Sequence, residues 1–366
     1  MDEPKRATSP LSPRWRRALA QKLLDWFAAH ARDLPWRRTT DLYAIWVSEI
    51  MLQQTQVGTV IPYWQRFLSR FPDVASLADA DEEDALRLWE GLGYYRRARQ
   101  LHAAARKIAR EHGGQFPASY SAVRELPGIG RYTAGAILSI GRDQRLPILE
   151  ANSIRVLSRL AAFEGDPAST AGQKHLWSLA EQILPAKGCG AFNQALMELG
   201  SEICTSKSPA CDRCPIAALC EARRRGLVDS IPRPGKRMNY EDATHVAVVV
   251  RDRGRVLLRQ CQRGERWAGL WDFPRFEASG GGTLAEQIAR QTYELTGVEV
   301  APGERLATFK HGVTRFRITL HCYAARKTSK RRIGQAARWV ALPELVDYPL
   351  STTGRKISRL LGKDTE

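Results

Sequence analysis

Four cysteines near the middle of the chain, Cys204, Cys211, Cys214 and Cys220, form one C-x6-C-x2-C-x5-C array. Four thiols in so short a stretch suit an iron–sulfur cluster, a structural zinc or a pair of disulfides. The other cysteines, Cys189, Cys261 and Cys322, are scattered. That argues against a disulfide scaffold and for a reducing compartment, where clustered thiols hold metal. Pro209 and Pro215 suit a ligand loop rather than a core helix. Structural zinc usually shows two C-x2-C knuckles, or one C-x2-C with histidines. A single C-x2-C flanked by spacings of six and five is a poor zinc ribbon.

Two carboxylates stand out for their surroundings. Glu49 lies among Ile45, Trp46, Ile50 and Leu52. It is either exposed or buried with a raised pKa, and the second state would suit proton donation. Glu150 ends the apolar run Pro147–Leu149 and precedes Asn152, at the start of a helix carrying Arg155 and Arg159. An acid there is a helix cap, or a carboxylate placed where a sugar cation develops, and position alone leaves both open. Gln53, Gln54 and Gln56 read as a polar face or as side chains probing stacked bases. Between these segments, Leu126-Pro127-Gly128-Ile129-Gly130 reads as a hairpin between helices. Gly128 and Gly130 permit close backbone approach there, and the following helix start offers amides to a phosphate.

The elements that must position these residues fall into two halves. Trp15, Leu19, Leu23, Trp26 and Phe27 recur at helical spacing, as do Ile154, Leu157 and Leu160, so residues 14–222 read as helical. Residues 1–13 are expected to be disordered. Segment 223–243, with Arg223–Arg225, Pro232, Pro234, Gly235, Lys236 and Arg237, reads as a basic linker able to touch phosphates. Residues 244–366 read as an α+β module: strands at His245–Val250, Val256–Leu258 and Arg315–Tyr323, a turn at Gly254, and a helix over 283–296 ended by Gly297. The 366 residues suffice for two domains, and the net charge of +17 favours a polyanionic partner, nucleic acid first. Met1–Pro10 lacks the apolar run of a signal peptide, and no stretch reaches the length of a membrane span. The expected location is the cytoplasm or nucleoid, with no membrane partner.

The cysteine spacing resembles the cluster loop of the endonuclease III family of DNA glycosylases, which holds a four-iron four-sulfur (4Fe-4S) cluster. Further stretches are R-D-L-P-W-R at Arg32–Arg37, S-E-I-M-L-Q-Q-T-Q at Ser48–Gln56 and W-E-G-L-G-Y-Y at Trp89–Tyr95. L-P-G-I-G-R-Y-T-A-G-A-I-L at Leu126–Leu138 and F-N-Q-A-L at Phe192–Leu196 continue the series. Together they resemble the A/G-specific adenine DNA glycosylases of the MutY type, within the helix-hairpin-helix superfamily. The resemblance implies an all-α helix-hairpin-helix domain with an iron–sulfur loop, followed by an α+β Nudix-like lesion-recognition domain. It implies excision of adenine mispaired with 8-oxoguanine or guanine in double-stranded DNA, by a monomer. Glu49 matches the family's general acid and Glu150 the carboxylate facing the sugar cation, with Asn152 and Tyr132 in support. Arg32, Trp36, Leu52 and Gln194 match the adenine pocket, and Gln54 and Tyr94 match residues that invade the duplex while the base is flipped. The four cysteines match the cluster ligands. Superfamily members with lyase activity carry a lysine where this chain has Tyr132, which implies a monofunctional hydrolase.

The chain departs from the pattern in places. Glu150-Ala151-Asn152 stands where the family has Asp-Gly-Asn, one methylene longer and without the glycine. The stretch Arg290–Val298 keeps Arg290, Glu294, Gly297 and Val298 but lacks the adjacent acids of a working Nudix helix, so a recognition module is expected rather than a pyrophosphatase. Where the family reads the lesion with Phe-Ser-His, this chain has Val313-Thr314-Arg315. Thr314 would hydrogen-bond, and Arg315 would hold a phosphate or guanine edge. Alternatives on the same scaffold are a mismatch thymine glycosylase and a catalytically weak lesion binder.

Overall fold

The computed structural model describes residues 11–233, 239–328 and 333–363. The disordered start expected over residues 1–13 lies outside them, apart from its last residues. Pro234, Gly235, Lys236 and Arg237 of the expected linker lie outside them as well.

Helix α1 (Pro13–His30) begins where the Ser12 hydroxyl accepts from the Trp15 amide, with proline in the first turn. Its Trp15, Leu19 and Leu23 stripe is buried. A short turn at Pro35–Arg37 leads to α2 (Leu42–Met51), capped by Asp41 and buried along its whole length. Then follow α3 (Val57–Arg70), α4 (Val74–Asp79), α5 (Glu82–Leu88), α6 (Arg96–His112) and α7 (Tyr120–Arg124). Beyond the hairpin come α8 (Arg131–Arg142), α9 (Ala151–Leu160), α10 (Thr170–Ile183), α11 (Cys189–Glu202) and α12 (Glu221–Arg224). The α1 stripe packs with Leu157 and Leu160 of α9, Leu176 and Leu179 of α10, and Phe192, Leu196 and Leu199 of α11. The linker expected from residue 223 begins with Arg223 and Arg224 still inside α12.

The second half is a mixed sheet between two helices. Its strands are β1 (Glu241–Asp252), β2 (Arg255–Gln260), β3 (Trp271–Asp272), β4 (Arg275–Glu277), β5 (Val300–Val313), β6 (Phe316–Lys327) and β7 (Ala337–Ala341). The order is β3-β2-β1-β6-β5, with β4 beside β1, β7 beside β2, and β1 parallel to β6. Side chains alternate across a strand. Val246, Val248 and Val250 of β1 therefore share a core with Ile288 of α13 (Leu284–Thr296), while Ala247 and Val249 share one with Ile357 and Leu361 of α14 (Thr352–Lys363). Burial on both faces explains the near-continuous apolar run of β1. Helix α13 is framed by a Thr283–Glu286 capping box and by Gly297 at φ +73°, close to the span its cap residues predict.

The described residues within 1–78 and 103–237 form one compact unit, and those within 79–102 and 238–366 form a second. The stretch 79–102, placed by sequence in the helical half, packs in the second unit. Glu83 accepts from the Trp271 indole and the Gln260 amide, and Glu90 pairs with Arg355. Among the described residues, no helix is long and apolar enough to cross a membrane.

Candidate active site

Because α2 is apolar on every side, the side chain of Glu49 has no route to the surface along its own helix. It is 5% exposed. Burial pushes its carboxyl up to about 7, and the charge on Glu150 acts in the same direction. A hydrogen bond from Tyr132 and the charge on Arg37 oppose the rise. The Tyr132 hydroxyl donates to Glu49 Oε2 at 2.7 Å. Burial also holds the Tyr132 phenol well above its ordinary value, so it stays a neutral donor. Of the two states open from sequence, the buried one with a raised pKa is the one adopted.

Glu150 is both cap and cavity wall. Its carboxylate accepts from the Asn152 amide at 2.8 Å and the Ser153 amide at 2.7 Å, and Ser153 Oγ in turn receives the Glu150 amide at 2.8 Å. The capping box fixes the carboxylate at the positive end of α9. Ala151 sits in the first turn of α9 without positive φ, so no glycine is needed there. Asn152 Oδ1 accepts from Arg155, and α11 comes so close that a Cβ on Gly200 would lie 2.6 Å from Asn152 Cβ. Glycine at 200 lets the two helices meet at this residue.

Glu49, Glu150, Asn152 and Tyr132 line one cavity of about 190 Å³, together with Arg32, Trp36, Leu52 and Gln194. Every residue expected for catalysis or for the base pocket is therefore brought together. Two charged wall residues escaped the sequence reading, Arg37 and Glu198. The Arg32 guanidinium holds the Glu198 carboxylate through two bonds of 2.8 and 2.7 Å, and Arg37 adds two of 3.3 and 3.0 Å. Burial alone would raise the Glu198 carboxyl, but these hydrogen bonds outweigh it and hold it at about 2. Arg37 also donates to Gln194 Oε1. The available signal was helical spacing, since Glu198 lies four residues after Gln194 on α11 and shares its face.

The four cysteines ring a second cavity, and none forms a disulfide. Cys204, Cys214 and Cys220 back onto the helical core. Arg159, 3% exposed, donates to Cys204 Sγ at 3.3 Å, to the Thr205 carbonyl and to the Ile231 carbonyl. A buried guanidinium against sulfur calls for negative charge there. Burial pushes the Cys214 thiol up to about 11, and iron at this site would hold it as thiolate. The donor set fits an anionic iron–sulfur cluster.

The residues expected to meet DNA are placed at turns. Gly128 takes φ +80°, a left-handed conformation favouring glycine, whereas Gly130 caps α8 in extended backbone at φ −87° and needs no such freedom. Gln54, Tyr94 and Thr314 are exposed and take φ of +56°, +49° and +51°, rare for residues with a Cβ. Thr314 and Arg315 form the two-residue turn between paired Val313 and Phe316. Positive φ at its first position usually selects glycine. The Thr314 hydroxyl donates to the Val313 carbonyl, and Arg315 lies 3.2 Å from Glu241 in an exposed pair.

Residues 47–182 match the HhH-GPD superfamily of base excision DNA repair proteins, residues 204–220 the iron-sulfur binding domain of endonuclease III, and residues 245–360 the NUDIX domain. A thermostable thymine-DNA glycosylase superposes with a TM-score of 0.54 at 28% identity, over 58% of this chain and 98% of its own. A non-covalent endonuclease III–DNA complex, 16% identical with a TM-score of 0.50 over 59% of this chain and 98% of its own, shares the fold. The class is thus a helix-hairpin-helix base-excision glycosylase with an iron–sulfur loop and a Nudix domain. The adenine DNA glycosylase of Homo sapiens is 33% identical across 94% of this chain and 74% of its own. That of Buchnera aphidicola subsp. Schizaphis graminum is 39% identical across 70% of this chain and 75% of its own. The chain belongs to the adenine DNA glycosylase family, and its cofactor is the 4Fe-4S cluster of the endonuclease III domain.

Proposed function

We propose that the protein is a monofunctional adenine DNA glycosylase that excises adenine opposite 8-oxoguanine or guanine, acting on double-stranded DNA as a monomer. The observation that carries this reading is the pairing of a buried Glu49, its carboxyl raised to about 7, with a capping Glu150 on one cavity. Flipped adenine enters between Trp36, Leu52 and the polar wall of Arg32, Gln194 and Glu198. Glu49 gives its proton to a ring nitrogen of adenine, and the C1′–N9 bond breaks with its electron pair going to the base. Glu150 and Asn152 stabilise the sugar cation. Water adds at C1′, and its proton returns to the Glu49 carboxylate. Tyr132 supplies a neutral phenol, not an amine, so no Schiff base forms. The four cysteines hold the cluster, which keeps the loop 204–220 in place.

The opposing base is read by the second unit. Thr314 offers its hydroxyl at the tip of the β5–β6 turn, and Arg315 exchanges Glu241 for a phosphate or guanine edge. Gln54 and Tyr94 enter the duplex. The deciding experiment is single-turnover base release across A·8-oxoguanine, A·G and T·G duplexes, followed by borohydride treatment. Adenine release without a trapped adduct is expected. Thymine release, an adduct, or binding without release contradicts the reading.

A further inference from the structure

The loop that carries Tyr94 is built to hold one shape. Gly91 and Gly93 take φ of +101° and +70° on either side of Leu92, directly before Tyr94. Trp89 is fully buried and its indole donates to the Gly93 carbonyl at 3.2 Å. The Arg97 guanidinium donates to the carbonyls of Leu92 and Gly93 and lies 5.3 Å and 5.6 Å from the rings of Trp89 and Tyr94. Tyr94 alone projects, 51% exposed. An aromatic ring held out on a strained residue is poised for contact, not for folding.

The outer anchor of this loop comes from the Nudix-like sequence. Glu90 accepts both prongs of Arg355 of α14, at 2.5 and 2.8 Å. The same guanidinium also ties the Leu345 and Tyr348 carbonyls, at 2.7 and 2.8 Å. The Leu350 amide donates to Glu90 at 3.3 Å, and Arg99 reaches the Ala268 carbonyl. Both members of the Glu90–Arg355 pair are largely shielded, at 16% and 17% side-chain exposure. A planar two-pronged pair fixes direction as well as distance.

We infer that Arg355, through Glu90, is a positioning residue for Tyr94, so that the Nudix-like part supports base flipping as well as reading the opposite strand. The inference rests on the reading of Tyr94 as the residue that enters the duplex. It explains why the stretch 79–102 groups with residues beyond 238 and not with the helices around it in sequence.

The test uses the full chain carrying Glu49→Gln, which stops excision, and an A·G duplex with 2-aminopurine beside the target adenine. The fluorescence rise at saturating protein reports unstacking. Tyr94→Ala, Arg355→Met and Glu90→Gln should each lower the flipping equilibrium, the last two by roughly tenfold. Arg355→Met added to Tyr94→Ala should cost nothing more, because both act through one ring, whereas a merely structural loss would add. Glu90→Gln keeps the side-chain shape and carries the test where Arg355→Met does not fold. An unchanged rise in Glu90→Gln, or additive losses in the double variant, overturns the inference. An unchanged rise in Tyr94→Ala overturns instead the reading of Tyr94, and the inference with it.

Discussion

The cavity around Glu49 and the β5–β6 turn around Thr314 solve opposite problems. The first is sunk in helices, its carboxylates held by Tyr132 and by α9 amides before any substrate arrives. The second is exposed, and its threonine sits in a backbone conformation that glycine usually takes. Proton transfer to a base needs a dry site that shifts a pKa, and burial supplies that in the free protein. On the proposed reading, recognition of a base edge needs exposed donors that can exchange partners, as Thr314 and Arg315 would exchange Val313 and Glu241 for DNA. On the same reading, chemistry is legible as burial and held carboxylates, and recognition as exposure and strain.

The comparison predicts unequal losses. Glu49→Gln should lower single-turnover excision by roughly 10²- to 10⁴-fold with mismatch binding intact, measured by base release and by gel shift. The same side chain should weigh on stability. Glu49 keeps its proton to about pH 7 in the fold but has an ordinary value of 4.5. Its folded value is raised, so stability is fully present below 4.5 and is lost as pH rises through 7. Denaturant midpoints should show wild type losing about 3 kcal/mol relative to Glu49→Gln between those pH values. Glu150→Gln should lower excision roughly hundredfold with little change in melting temperature, since the amide oxygen still caps α9. Glu150→Ala should lose about 1 kcal/mol of stability as well. Thr314→Ala should leave A·G excision unchanged and reduce the 8-oxoguanine preference by about 1 kcal/mol, read from the ratio of the two rates.

Much of this was visible in the residues. Helical spacing and the cap at Thr283 define their elements locally, so α1, α9 and α13 follow from sequence. The cysteine loop and the pocket residues come from short motifs whose members are neighbours in the chain. Glu49 illustrates the limit: an acid among apolar residues is compatible with surface or core, and only the packing around α2 decides. Glu150 reads from sequence as a cap or as a carboxylate facing a sugar cation, and in the fold it is a cap that also lines the cavity. Arg37 and Glu198 were missed because their meaning is the ion-pair network with Arg32, which joins residues far apart in sequence. The grouping of 79–102 with the second unit was invisible for the same reason, resting on pairs such as Glu90 with Arg355. Ala151 stands where the family has glycine, and its backbone is one that any residue adopts.

The central claim is that burial and the charge of Glu150 together make Glu49 the proton donor. The most direct measurement is the pH dependence of single-turnover adenine excision in wild type and in Glu150→Gln. Excision should fall as pH rises through about 7 in wild type, as one group loses its proton, and the fall should move to lower pH in Glu150→Gln, where the neighbouring charge is gone. A rate that does not change across this range, or a fall that stays in place when Glu150 is neutralised, would contradict the account.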